Sequence, residues 1–362
     1  MKQPILGIVG LIIVMAVAMG IISLFTADQF AGWVTYFVAV CVPVEVVIGM
    51  VWQLGYPPFV KNLAQPVKGI ALVIITFIIA AVFTAIIFYG QAQGITPLTP
   101  MAIQYAIFAV LVTFWFVVAW GMWPLSAITK NPAVLGLGVL IVTYGLGYIL
   151  FNLLFDFGFM SGAPFYSTAI DPSGAFNALE VLSFSVTTVA VIFMFIVMDF
   201  WPITAVPAFR SQPLMGIVTT IVVLAITALV YWLGVIVLGQ EPVKFMVFCS
   251  IGFLFGSLLP IIMFEGKLFA NMKQPVKGLL GLVVAVVAGA LLPKVYWALA
   301  PTLSGDMVAG APNYQYELWL ASALLAMTFP LMVCYAQFFD YWPIRGKQSA
   351  PAAGGEAPPA AE

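Results

Sequence analysis

The sequence predicts an all-α integral membrane protein of about ten transmembrane helices, arranged as five tandem helical hairpins of parallel topology. Three observations carry this prediction. The 362-residue chain is 64% hydrophobic and 7% charged, with mean hydropathy +1.15, whereas a soluble domain carries roughly 25% charged residues. The charges gather in short polar gaps between apolar runs of about 20 residues, the length that spans a bilayer as a helix. The pentapeptide Gln-Pro-Val-Lys-Gly opens two of those runs, at Gln65–Gly69 and Gln274–Gly278.

The spans follow in order, each bounded by polar, Pro or Gly residues: about Ile5–Phe25, Gly32–Gly55, Val67–Tyr89, Ala102–Trp123 and Ala133–Phe155, then Ala178–Trp201, Leu214–Leu238, Val243–Phe264, Val276–Ala298 and Tyr316–Trp342. Only helices or closed barrels satisfy the backbone in lipid. These runs are too long and too continuously apolar for the alternating strands of a barrel. The first span is a retained helix and not a signal peptide. Its one basic flank is Lys2, no small-residue cleavage site follows Phe25, and it opens with Gln3-Pro4 as the later hairpins open.

Weaker versions of the opening stand at Gln3-Pro4…Gly7, Asn131-Pro132…Gly136 and Gln212-Pro213…Gly216, so hairpins start near residues 3, 65, 131, 212 and 274. Proline in a first helical turn gives up an amide that has no helical partner anyway. The preceding Gln or Asn can cap neighbouring amides, and the glycine lets another backbone come close. Even spans end at Tyr56-Pro57, Trp123-Pro124, Trp201-Pro202 and Trp342-Pro343, while the eighth ends Phe264-Glu265-Gly266-Lys267 without that pair. Spacing of the two full pentapeptides, and of Cys41 and Cys249, also allows a larger duplication in which spans one to four match seven to ten. Residues 1–347 read as one polytopic domain and 348–362 as a disordered cytoplasmic tail rich in Ala, Pro and Gly.

Orientation follows from basic residues. With the N-terminus inside, ten of the twelve Lys and Arg fall on the inner face, and only Lys244 and Lys294 fall outside. Both termini are then cytoplasmic, and short loops suit a bacterial inner membrane. The connections Gly158–Asn177 and Pro301–Gln315 are the long external ones, able either to fold over the surface as lids or simply to link helix ends.

Glu45 is the one charge placed deep in the bilayer, near the middle of the second span and two residues after Pro43. An acid there is costly to ionise and is a candidate for transport or ion coupling. It is either protonated and hydrogen-bonded to a neighbouring helix, or it faces a wet cavity or a cation. Asp199, Asp340 and Glu265 are weaker candidates near the inner helix ends, where their recurrence fits the boundary of the hairpin unit. Glu180 follows Asn177 by three residues, the spacing of a capping box. Cys41, Cys249 and Cys334 form no Cys-x-x-Cys pair and read as inert thiols. Thr113, Thr143, Tyr144 and Thr187 read as interhelical hydrogen-bonders, and Gly136, Gly138, Gly145 and Gly147 as a close-packing face.

The chain has no histidine, which excludes histidine-ligated haem, copper or zinc and histidine acid–base catalysis. It has no P-loop and no dense arginine row. No metal, cofactor, enzymatic activity or nucleic-acid partner is expected. Parallel hairpins resemble the mitochondrial carriers in general plan only, because the charged Pro-x-[Asp/Glu]-x-x-[Lys/Arg] signature is absent. Expectation falls on a secondary transporter or channel for a small solute or ion with a midplane carboxylate. The alternative is a non-catalytic anchor or scaffold subunit, with membrane-protein partners or a homo-oligomer beside the lipid.

Overall fold

The computed structural model describes residues 1–164 and 166–345. The expected tail, 348–362, lies outside the described residues. The protein is an all-α, multi-pass membrane protein, 72% helical. Among the described residues ten helices are long and apolar enough to cross a bilayer: α1 (Ile5–Ile22), α2 (Ala27–Val51), α3 (Val67–Gly90), α4 (Pro100–Ala119), α5 (Pro132–Leu154), α6 (Ala178–Val197), α7 (Leu214–Val237), α8 (Pro242–Met263), α9 (Val276–Ser304) and α10 (Gln315–Phe338). A two-residue parallel pair, β1 (Phe155–Asp156) and β2 (Phe176–Asn177), ties the α5–α6 connection together.

Two boundaries differ from the sequence reading by more than four residues. Thr26 caps α2 through a capping box with Gln29, so that helix starts five residues before the expected Gly32. The ninth helix runs through Pro293 and Pro301 to Ser304, beyond the expected Ala298 and into the expected loop. A proline removes one helical hydrogen bond. Near a helix end that loss is small, and Pro301 still accepts from Gly305 N at 3.0 Å.

The helices sort into two layers. In the most apolar stretch of each even helix 61–78% of residues are buried, against 17–39% in the odd helices. The even helices touch in the closed order α2, α4, α6, α8, α10 and back to α2. Each odd helix lies in an outer groove between two of them. Thus α3 rests on α2 and α10, α5 on α4 and α2, α7 on α6 and α4, α9 on α8 and α6, and α1 on α10 and α8. Side chains such as Ile12, Ile78, Ile141, Ile221 and Val283 face outward from this layer, as lipid-facing positions must. Hydrogen bonds from Thr113 to Thr143 at 3.2 Å, Tyr144 to the Val40 carbonyl at 3.3 Å, and between Thr187 and Ser250 at 2.7 Å join helices as expected.

The five openings each dock on the end of an inner helix, four of them alike. Gln3 Nε2 donates to the Met263 carbonyl at 3.1 Å, Gln65 to that of Phe338 at 2.7 Å, Gln212 to that of Ala119 at 3.1 Å, and Gln274 to the Asp199 carboxylate at 2.8 Å. The same four side chains accept through Oε1 from the amides of Gly7, Gly69, Gly216 and Gly278, at 3.0–3.3 Å. Asn131 instead caps its own helix, and Trp52 Nε1 supplies the crossing bond to the Pro132 carbonyl at 2.7 Å. The glycines have one shared reason. A Cβ at Gly7, Gly69, Gly136, Gly216 or Gly278 would overlap Phe264, Phe339, Trp52, Trp120 or Met198 respectively, in each case the first residue beyond an inner helix. What approaches is chiefly a side chain, where close backbone packing was expected. In α5, Gly136 and Gly138 pack tightly, Gly147 makes ordinary contact, and Gly145 faces open space.

The inner helices also end alike. Four close with a π turn, at Val47–Val51, Trp115–Ala119, Leu259–Met263 and Cys334–Phe338. In all five, one intervening residue is followed by two in the left-handed region: Gln53 and Leu54, Gly121 and Met122, Asp199 and Phe200, Glu265 and Gly266, Asp340 and Tyr341. The eighth span, which departs in sequence, therefore shares the backbone of the others. A non-glycine residue in this region costs about 1–2 kcal/mol. Gly121 and Gly266 escape that cost.

Candidate functional site

The five inner helices enclose a central cavity of about 290 Å³, to which every one of them contributes. It begins at Pro100, the head of α4, and reaches Phe114 in the last third of that helix. At a 1.5 Å rise per residue this is about 20 Å of depth. Thr35, Gln104, Ser185 and Ser322 supply hydrogen-bonding side chains, and the rest of the wall is apolar, with no charged residue. Phe114 and Phe329 line its deep end. Together with Phe193 they form a ring cluster with centroids 4.9 Å (Phe114–Phe193), 6.2 Å (Phe114–Phe329) and 6.5 Å (Phe193–Phe329) apart. Such edge-on and offset aromatic contacts are mutually stabilising, so the cluster makes a cohesive floor.

Glu45 is buried, as its depth predicted, but it does not line this cavity. The cavity side of α2 carries Ala31, Thr35, Ala39 and Val42. Glu45 sits beside that stripe, at the contact between α2 and α10, where its Oε1 accepts from Cys334 Sγ at 3.5 Å. Its Oε2 is buried without a partner, and no ion pair among the described residues involves it. Pro43 lies inside the regular α-helical stretch Thr35–Val46, and the irregular turns fall on either side of it.

Asp199, Glu265 and Asp340 occupy one position, the first left-handed residue after α6, α8 and α10. Each holds a neighbouring cation. Lys277 pairs with Asp199 at 2.9 Å and Lys267 with Glu265 at 2.8 Å, while Arg345 bridges Glu265 and Asp340, the latter at 2.7 Å. Burial works to raise the Asp199 carboxyl, but hydrogen bonds from Lys277 and Gln274 outweigh it and hold it below the ordinary carboxylate value. At Glu265 burial is likewise outweighed, here by Lys267, Arg345 and Gln3. Asp340 goes the other way, because burial and the nearby Glu265 exceed the pull of Arg345. These acids fasten helix ends to one another, and none borders the central cavity.

The thiols are scattered. Cys41 is buried, Cys334 half-buried and Cys249 exposed, so the matching depths of Cys41 and Cys249 do not give matching surroundings. Among the described residues no group of three His, Cys, Asp or Glu side chains is placed to hold a metal ion. The two long connections are internally tied. Asp171 accepts from Phe157 N at 3.2 Å, Ser173 N at 2.9 Å and Tyr166 OH at 2.7 Å. Glu317 accepts from Gly310 N at 3.0 Å.

The cavity wall was not readable in advance. Phe114, Phe193 and Phe329 stand in stretches that are apolar around them, so no polar neighbour marks the direction they face. Gln104, an amide inside an apolar run, was the clearest available signal, with Thr35, Ser185 and Ser322 as weaker ones. No protein-family model, no curated protein and no solved structure matches the chain.

Proposed function

We propose that the protein is a channel or carrier for a small uncharged solute, which passes through the central cavity. One observation carries the reading: all five inner helices contribute to a single cavity on their common axis. Four hydrogen-bonding side chains on an otherwise apolar wall suit a small alcohol or amide. A bare ion would meet a mostly apolar wall with no charged group and only four neutral side chains in place of its water shell, so the ionic form of the transport expectation receives no support. On this reading Phe114, Phe193 and Phe329 form the gate, and Glu45 contributes to packing between α2 and α10.

Five tandem hairpins of one ancestral kind are the natural account of the five alike openings and ends. The distribution of basic residues supports cytoplasmic termini, and a bacterial inner membrane is the setting we favour. We read the chain as non-enzymatic. The test is osmotic light scattering of proteoliposomes challenged with urea and glycerol. Wild-type protein should raise permeability above that of protein-free vesicles, and Ala326→Trp, which fills the cavity from α10, should abolish the increase. Equal permeability in all three preparations would favour the scaffold reading.

A further inference from the structure

Outside the inner ring, α4, α5, α6 and α7 border a second cavity of about 560 Å³, within the size range of sites that hold small molecules. Its floor is made by α4 and α6, and its rims by α5 and α7. Both rims are lipid-facing: Ile149 and Leu153 of α5, and Ile221 and Leu224 of α7, are exposed. Whatever fills the groove therefore comes from the bilayer. Among its hydroxyls Thr188 and Thr220 are engaged, while Ser185, on the wall shared with the central cavity, makes no hydrogen bond among the described residues. Thr188 donates to the Phe184 carbonyl at 2.9 Å, and Thr220 accepts from the indoles of Trp115 and Trp120 at 2.9 and 3.0 Å. Away from Ser185 the interior offers an occupant little but apolar side chains, which suits a hydrocarbon chain.

The end nearest the α5–α6 connection is different. Glu180, in the first turn of α6, lines it together with Tyr231 of α7. Asn177 caps the Leu179 amide at 2.9 Å, but the reciprocal half of the expected capping box does not form. Glu180 is in no ion pair among the described residues. A carboxylate at the mouth of a dry groove complements an ammonium headgroup.

We propose that this groove binds one hydrocarbon chain of an amine-bearing membrane amphiphile, with its headgroup held at Glu180. Phe108, Leu111 and Ser185 border both this groove and the central cavity, so the bound chain presses on the cavity wall from outside. The proposal stands apart from the solute reading, because binding is measured without flux.

The experiment uses full-length protein in vesicles containing a phosphatidylethanolamine with a diazirine at mid-chain, with phosphatidylglycerol carrying the same chain as the comparison. Adducts are mapped by mass spectrometry after illumination. Adducts are expected at Val112 and Val223, each 2% exposed and shielded from lipid that merely surrounds the protein. Glu180→Gln should lower phosphatidylethanolamine labelling at these sites about threefold, the scale of a solvent-exposed ion pair, and leave phosphatidylglycerol labelling unchanged. Adducts confined to outward side chains such as Ile141 and Ile221 would overturn the proposal. So would labelling at Val112 and Val223 that ignores both headgroup and variant.

Discussion

Gln65, in the first Gln-Pro-Val-Lys-Gly, donates through Nε2 to the carbonyl of Phe338 at 2.7 Å, 273 residues along the chain. That bond and the one from Gln3 to Met263 close the ring, bringing the last inner helices against the first outer ones. Gln65→Ala leaves a partly buried carbonyl and the Gly69 amide without their partner. Loss of about 1–3 kcal/mol is expected from such unsatisfied groups. Denaturant unfolding in detergent checks it, with Gln93→Ala, in an exposed loop hydrogen bond, as a control expected to change little.

The docking glycines should be as sensitive as the glutamines. Gly216 lies against the Trp120 indole, where a Cβ would fall 2.6 Å from a ring carbon. Gly216→Leu forces α7 outward and should cost about 1–3 kcal/mol, as overpacking does. Gly20, beside which a Cβ meets nothing within 4 Å, is the matched position for the same substitution. Hydrogen exchange of α7 should rise in the first variant and hold steady in α1 for the second.

Two of the acids at the helix ends, Asp199 and Glu265, favour an acid-side loss of stability that the raised Asp340 partly offsets. Asp199 and Glu265 sit below their ordinary values of 3.8 and 4.5 in the folded protein. A depressed carboxyl contributes stability above its unfolded value and loses it as pH falls through its folded value. Melting temperature should therefore hold from neutral pH down to the ordinary carboxylate values and fall below them. Asp199 is more than half exposed, so its share is below about 1 kcal/mol. Asp199→Asn should melt slightly lower at neutral pH and flatten the acid-side decline; an unchanged decline would assign it to other groups.

Glu45→Gln should leave solute permeability unchanged from pH 5 to pH 8, because the side chain lies at the α2–α10 contact and off the cavity wall. Permeability is measured in the same vesicles as for wild type. A pH-dependent flux that disappears in the Gln variant would restore this carboxyl as a coupling site.

Much of the architecture was legible because lipid leaves few choices. Length and apolarity place ten helices, and Gln-Pro with a following Gly marks where outer helices start. What those motifs grip was not legible, since their partners are backbone carbonyls and ring faces with no local signature. The eighth span illustrates the point: Phe264-Glu265-Gly266 lacks the aromatic–proline pair, yet makes the same left-handed turn, because the backbone and not the aromatic is the common feature. Glu45 divides the same way. Its depth follows from counting residues, but its direction depends on how an almost uniformly apolar helix is rotated, which only packing against α10 decides. Glu180 read as half of a capping box, and the half that failed to form leaves it at the groove.

The central claim is that solute passes between the five inner helices, with the phenylalanine cluster as its gate. Phe329→Ala tests it most directly, read by stopped-flow permeability to urea in proteoliposomes of equal protein content. Permeability should rise above wild type and return to the protein-free level when Ala326→Trp is added. Permeability at the protein-free level in wild type and Phe329→Ala alike, with both proteins folded, would contradict it.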